Sequence, residues 1–173
     1  MSAPWPRRAQ WSTAAAIPSH GRRSASGSGP ALGYASRSQG EVSSYLNEQT
    51  LLIALLETPE AIENADAIAA VEGIDMLHIG SSDLSTEMGI PDQYKHASMR
   101  QAYEATAKTA RAHGKSMGVG GVREDFEFQT WLMQLGMRYL TGGPNIGYIL
   151  SAGRADVKRL RQVQLSQSAI IRP

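Results

Sequence analysis

Leu51-Leu52-Ile53-Ala54-Leu55-Leu56, followed at once by Glu57-Thr58-Pro59-Glu60, decides how the chain reads. Six apolar residues without alternation describe a strand buried on both faces, as in a parallel sheet covered by helices. The next four residues open a helix. Thr58 can cap it, Pro59 suits its first turn, and the acids favour the positive end of its dipole. Ala61, Ile62, Ala65, Ile68 and Ala69 then supply an apolar face, and Gly73 stops the helix.

The alternation continues outward. Met76-Leu77-His78-Ile79 is a second buried strand ending at Gly80, followed by a polar loop from Ser81 to Gln93. Met99 to His113 is Ala-rich and helical, with Gly114 at its end. Ser116 to Val119 is a short strand, Asp125 to Leu135 a helix ended by Gly136, Arg138 to Thr141 a strand, and Ile146 to Val163 a last helix. A weak helix is expected over Tyr34 to Leu46, and residues 1–33 read as an irregular segment rich in Ser, Gly, Pro and Ala. The order β-α-β-α-β-α-β-α implies parallel strands joined by right-handed crossovers. The fold class is α/β, a partial (β/α)8 TIM barrel of about four units over residues 34–173, because a whole barrel needs at least about 200 residues. The spacing predicts strands at 51–56, 75–80, 116–119 and 138–141, neighbours in that order.

The chain of 173 residues contains no Cys, which excludes disulfides, zinc-thiolate sites and thiol nucleophiles. No run of about 18 apolar residues exists, so no membrane span is expected. Charge is uneven. Residues 1–40 hold five Arg and no acid, whereas residues 41–173 hold 16 acidic side chains against 12 basic ones. An Arg- and Ser-rich, acid-free head resembles a transit peptide, and an unstructured start reads the same way. The expected location is cytoplasmic, with a mitochondrial one as the alternative; no nucleic-acid partner is expected.

Active groups of barrels sit at the C-terminal ends of strands. Glu57 directly ends the first strand, and Asp83 lies three residues past Gly80 at the end of the second. Neighbouring strands lie about 4.8 Å apart, so two such carboxylates can share a cation, and oxygen ligands without Cys favour Mg²⁺ or Mn²⁺. The competing reading is that Glu57 charges a helix start and Asp83 caps a turn. Gly80-Ser81-Ser82-Asp83 is a small-residue loop whose backbone N–H groups suit an anion, as does Gly142-Gly143-Pro144; simple turns use the same residues. His78 reads as a core or barrel-interior residue, His96 and His113 as helix margins, and His20 falls in the irregular head. None is placed as a general base, and no catalytic residue is assigned. Tyr94, Tyr103, Trp131 and Met133 read as packing residues.

Leu56-Glu57-Thr58-Pro59-Glu60-Ala61-Ile62-Glu63-Asn64, then Ile79-Gly80-Ser81-Ser82-Asp83-Leu84-Ser85, resembles the 4-hydroxy-2-oxoheptanedioate aldolase family (HpcH/HpaI) of the pyruvate/phosphoenolpyruvate barrels. The family pattern is I-E-T-x-E-A-x-x-N followed by G-x-x-D-L-S, and the 26-residue separation of Glu57 and Asp83 agrees with it. Met88-Gly89-Ile90-Pro91, Ala112-His113-Gly114-Lys115 and Gly21-Arg22-Arg23-Ser24 extend the match from about residue 18 to about residue 163. The resemblance implies a class II carbon–carbon lyase. Glu57 and Asp83 would bind the metal, and Gly80, Ser81 and Ser82 would hold the carboxylate of a 2-oxo acid such as pyruvate. An aldehyde would be the second substrate. The family's proton-transferring His and enolate-stabilising Arg belong to earlier units with no counterpart here, so little or no activity of this chain by itself is expected. Alternatives are a non-catalytic remnant, a citryl- or malyl-coenzyme A lyase, and a macrophomate synthase-like enzyme. The family also suggests a homo-oligomer.

Overall fold

The computed structural model describes residues 22–24, 27–123 and 125–166. Most of the irregular head predicted over residues 1–33 therefore lies outside the described residues; within the rest of it, Pro30–Leu32 forms a single 3-10 turn. Contacts divide the chain into two units, residues 1–141 and 142–173. Among the described residues, the second contains one helix, Asn145–Ser166.

The first unit is built on one four-stranded parallel sheet: β1 (Ile53–Leu56), β2 (Met76–Gly80), β3 (Ser116–Gly120) and β4 (Met137–Leu140), adjacent in sequence order. Its helices are α1 (Gln39–Gln49), α2 (Pro59–Glu63), α3 (Ala65–Ala69), α4 (Ser81–Glu87), α5 (Ala97–Ala112) and α6 (Phe126–Leu135); the helix of the second unit is α7. The strand order is the one the apolar runs predict, but β1 begins at Ile53 rather than Leu51 and its Leu55 is exposed, so it is not buried on both faces. The helix expected over Tyr34 to Leu46 begins only at Gln39, as α1. Two further elements differ. The helix expected from Thr58 to Gly73 breaks at Asn64 into α2 and α3, with Asn64 Nδ2 donating to the Glu60 carbonyl at 2.8 Å. The segment expected as a loop after Gly80 begins with a two-turn helix, α4, which buries Ser81, Leu84 and Ser85.

Side-chain chemistry sets the helix ends. Ser38 and Glu41 form a reciprocal capping box at α1, Thr58 Oγ1 accepts from Ala61 N at 3.1 Å at α2, and Asp125 Oδ1 accepts from Phe128 N at 2.9 Å at α6. Gly136 ends α6 at φ +115°, a conformation other residues rarely adopt.

Strand alternation gives the sheet two unlike faces. Leu56, Leu77, Ile79, Met117 and Val119 join the apolar core. The core is completed by α5, whose Met99, Ala102, Tyr103, Thr106, Ala107 and Ala110 are buried at helical spacing, and by Phe128 and Leu132 of α6. The other face carries a cross-sheet row, Leu55 beside His78, His78 beside Gly118, Gly118 beside Tyr139. Leu55 and Tyr139 at the two ends of that row are 53% and 41% exposed, whereas His78 between them is 7% exposed. In a closed barrel this face would look inward.

Candidate metal and substrate site

The register continues past the strands. Leu56 pairs with Ile79, so Glu57 follows beside Gly80, and Gly80 pairs with Gly120. Glu57 is thus carried by the C-terminal end of β1, on the face opposite the core. Asp83 arrives from the first turn of α4. Asp83 is close enough to act on the Glu57 carboxyl, both as a polar neighbour and as a like charge. Glu57 is held above the ordinary glutamate range of 4.5 by burial first, then by these two effects of Asp83. Two carboxylates this close share a proton or a cation. The competing sequence reading is also partly realised, since Glu57 leads into α2 and Asp83 sits in the first turn of α4; neither role requires the two groups to meet.

Gly80 makes the meeting sterically feasible. A Cβ at that position would stand 2.6 Å from Glu57 Oε1 and 2.8 Å from Glu57 Cγ. The side chain of Glu57 lies where any other residue at position 80 would place its own.

The loop holding Asp83 is fixed from below. Ser81 is fully buried, and Tyr103 Oη donates to its Oγ at 2.9 Å. Burial pushes the Tyr103 phenol up to about 12, so it stays protonated and able to donate. Ser81 therefore spends its side chain on the core, and only its backbone faces the strand end. Ser85 Oγ and Thr86 Oγ1 donate to the Ser82 carbonyl at 3.0 and 2.8 Å. Gly121, at φ +85°, brings the end of β3 against Ser82: a Cβ there would lie 3.0 Å from Ser82 Oγ and 3.3 Å from its N. Gly80 caps α4 without a side chain, so no side-chain acceptor occupies its first N–H groups.

His78 is the barrel-interior residue the sequence suggests. Burial lowers its pKa below 6.5, leaving the ring neutral at neutral pH. His96 caps the start of α5 through Ser98 N, and His113 closes its end and meets Asp66 Oδ1 at 2.8 Å. His20 lies outside the described residues. Among the described residues no group of three or more His, Cys, Asp or Glu side chains gathers, so Glu57 and Asp83 stand as a pair. Of the family-like segment at residues 21–24, Arg23 Nη2 donates to Thr50 Oγ1 at 3.2 Å just ahead of β1. No described helix is long and apolar enough to cross a membrane.

Two features escaped the sequence. Tyr103 reads as packing, and its edge-on contacts with Phe128 and Trp131 bear that out, but its hydroxyl also anchors the site loop. Thr141 Oγ1 meets His78 Nε2 at 3.3 Å across 63 residues of sequence, a separation no local pattern reveals.

Residues 10–137 match the HpcH/HpaI aldolase/citrate lyase family. The 4-hydroxy-4-methyl-2-oxoglutarate aldolase of Hapsidospora irregularis is 38% identical over 66% of this chain and 43% of its own. The corresponding aldolase of Chaetomium globosum is 37% identical over 72% of this chain and 47% of its own. The chain thus spans less than half the length of the curated relatives it matches. The crystal structure of an HpcH/HpaI aldolase from Desulfitobacterium hafniense superposes with a TM-score of 0.71 at 24% identity, over 86% of this chain and 57% of that one, which supports the fold. By its motifs and by this match the chain belongs to the HpcH/HpaI aldolase/citrate lyase family.

Proposed function

We propose that this chain carries the metal- and carboxylate-binding half of a class II aldolase site acting on 2-oxo acids. The observation that carries the reading is that the Glu57 side chain, from the end of β1, lies over Gly80 at the start of the turn that carries Asp83, and that Asp83 raises the Glu57 pKa. A pair of like charges held together by the fold is a donor set suited to a divalent cation. Mg²⁺ and Mn²⁺ fit best, since they accept one or two protein carboxylates and fill their remaining positions with water and substrate oxygen. When bound, the cation supplies Lewis-acid stabilisation of the negative charge that develops on the 2-oxo group.

The chain's own residues do the rest. Glu57 and Asp83 would hold the cation as carboxylate ligands. Gly80, Ser81 and Ser82 offer backbone N–H groups to the substrate carboxylate, where the start of α4 adds a favourable dipole. Tyr103 and Gly121 hold that turn in place. Pyruvate, from cleavage of a longer 2-oxo acid, is the product this arrangement suits, with an aldehyde or ketone as the other fragment. The two fungal relatives are 4-hydroxy-4-methyl-2-oxoglutarate aldolases, and that compound is a 2-oxo acid of this class.

The test is pyruvate binding by isothermal titration, with Mg²⁺ and with EDTA. Binding is expected in Mg²⁺ alone. Equal binding in EDTA would overturn the metal-centred reading.

A further inference from the structure

The His78 ring lies across β3 at a place where β3 has no side chains. A Cβ at Gly118 would be 2.4 Å from His78 Nδ1, and one at Gly120 would be 3.0 Å from Nε2. Tyr139 closes the side of the ring edge-on, with centroids 5.6 Å apart. Nδ1 is buried with no hydrogen-bond partner, and Nε2 lies 3.3 Å from Thr141 Oγ1.

A neutral imidazole carries a single N–H. On Nδ1 that hydrogen would be a buried donor with nothing to meet, a costly arrangement. On Nε2 it reaches the Thr141 oxygen. Thr141 then accepts from His78 and retains its own hydroxyl hydrogen for another acceptor. Thr141 is exposed at the C-terminal end of β4, its backbone N donating to the Val119 carbonyl at 3.2 Å. Its hydroxyl would be 3.5 Å from a Cβ at Gly120, which places it on the same face of the sheet as His78 and Glu57.

Between Glu57 and Thr141 the rim is made of Gly80 and Gly120. Three strand spacings separate the two outer positions, about 14 Å along the sheet. The result is a sheet edge with a carboxylate pair at one side and a hydroxyl donor at the other, where the two middle strands end in glycines overlain by the side chains of Glu57 and His78. An oxygen carried beyond the 2-oxo group of a longer acid would lie nearer the Thr141 side than any atom of pyruvate.

We infer that Thr141, oriented by His78, donates a hydrogen bond to the distal oxygen of the substrate, the 4-hydroxyl oxygen of a 4-hydroxy-2-oxo acid or the carbonyl oxygen it becomes on cleavage. Thr141 is then a specificity residue and His78 a positioning residue. The inference rests on the proposed site at Glu57 and Asp83.

Two ligands separate the parts. 2-Oxoglutarate and 4-hydroxy-2-oxoglutarate share the oxo acid and differ by the hydroxyl. Titrated into the 173-residue chain with Mg²⁺, the hydroxy acid should bind tighter by roughly three- to tenfold, the range of one neutral hydrogen bond. Thr141→Val and His78→Phe should abolish that preference and leave the 2-oxoglutarate affinity unchanged. Thr141→Ser and His78→Gln, which keep a hydroxyl and a donor, should retain part of it. Imidazole ¹⁵N shifts should show the Nε2–H form of His78 in wild type. A preference that survives in both Thr141→Val and His78→Phe overturns the inference while leaving the carboxylate site standing. A parallel loss of both ligands overturns it too, because it shows a merely structural role. If wild type binds neither acid, the carboxylate reading fails and this inference fails with it.

Discussion

Substituting Gly80 by Ala is a small change with a calculable consequence for the site. Gly80 has φ −84° and ψ 91°, ordinary strand-end values that Ala adopts freely. Backbone entropy alone would make such a change stabilising by about 0.4–1 kcal/mol. The new methyl group, however, would stand 2.6 Å from Glu57 Oε1, 2.8 Å from Cγ and 3.1 Å from Cδ. Comfortable contact between such atoms begins near 3.5 Å, so Glu57 must retreat by about 1 Å. Its side chain is only partly covered, so it can swing towards solvent at little cost to the fold. A cation tolerates far less, because ligand distances hold within about 0.2 Å. Removing one of two protein carboxylates from reach should lower Mn²⁺ affinity by tenfold or more, while thermal stability changes by no more than about 1 kcal/mol. Titration calorimetry with Mn²⁺, paired with a thermal melt, reads both quantities. Unchanged metal affinity in a folded Gly80→Ala protein would refute the placement of Glu57 as a ligand.

Metal binding should release protons. The Glu57 pKa is raised in the metal-free protein, so cation binding should displace a proton wherever Glu57 is still protonated; calorimetry in buffers of different ionisation enthalpy measures it. The same raised value means that Glu57 favours the fold below its unfolded pKa and that this contribution is lost as pH rises through the folded one, so metal-free stability should gain slightly in Glu57→Gln at neutral pH. Tyr103→Phe leaves buried Ser81 Oγ without its donor and should cost about 1–3 kcal/mol in denaturant melts. In wild type, the protonated phenol favours the fold fully below pH 10 and loses that effect as pH approaches 12, a decline that Tyr103→Phe should lack. Gly118→Ala drives a methyl group to 2.4 Å from His78 Nδ1 within packed surroundings and should destabilise by about 1–3 kcal/mol on thermal unfolding.

The strands were legible because each is a short apolar run with Gly, Pro or a capping residue beside it, and the crossover rules then order them. Glu57 and Asp83 were legible because strand ends are where a barrel exposes functional groups. Helix α4 was not. Ser81-Ser82-Asp83-Leu84-Ser85-Thr86-Glu87 shows no apolar stripe, and its helical form depends on tertiary ties such as the burial of Ser81 against Tyr103 and the bond from Asp92 N to Ser85 Oγ at 3.2 Å. The break at Asn64 is similarly silent, because the apolar spacing of Ala61, Ile62, Ala65 and Ile68 runs through it without interruption. The glycines at 80, 118 and 120 read as strand ends or weak strand positions. Their use, leaving room for the side chains of Glu57 and His78, appears only once neighbouring strands are in register.

The central claim is that Glu57 and Asp83 jointly hold one divalent cation. Mn²⁺ binding followed by electron paramagnetic resonance, in wild type, Glu57→Ala, Asp83→Ala and the double variant, tests it most directly. The account predicts one weakly held ion per wild-type chain, a loss of affinity of at least tenfold in either single variant, and no specific binding in the double variant. Mn²⁺ bound by the double variant as tightly as by wild type would contradict it.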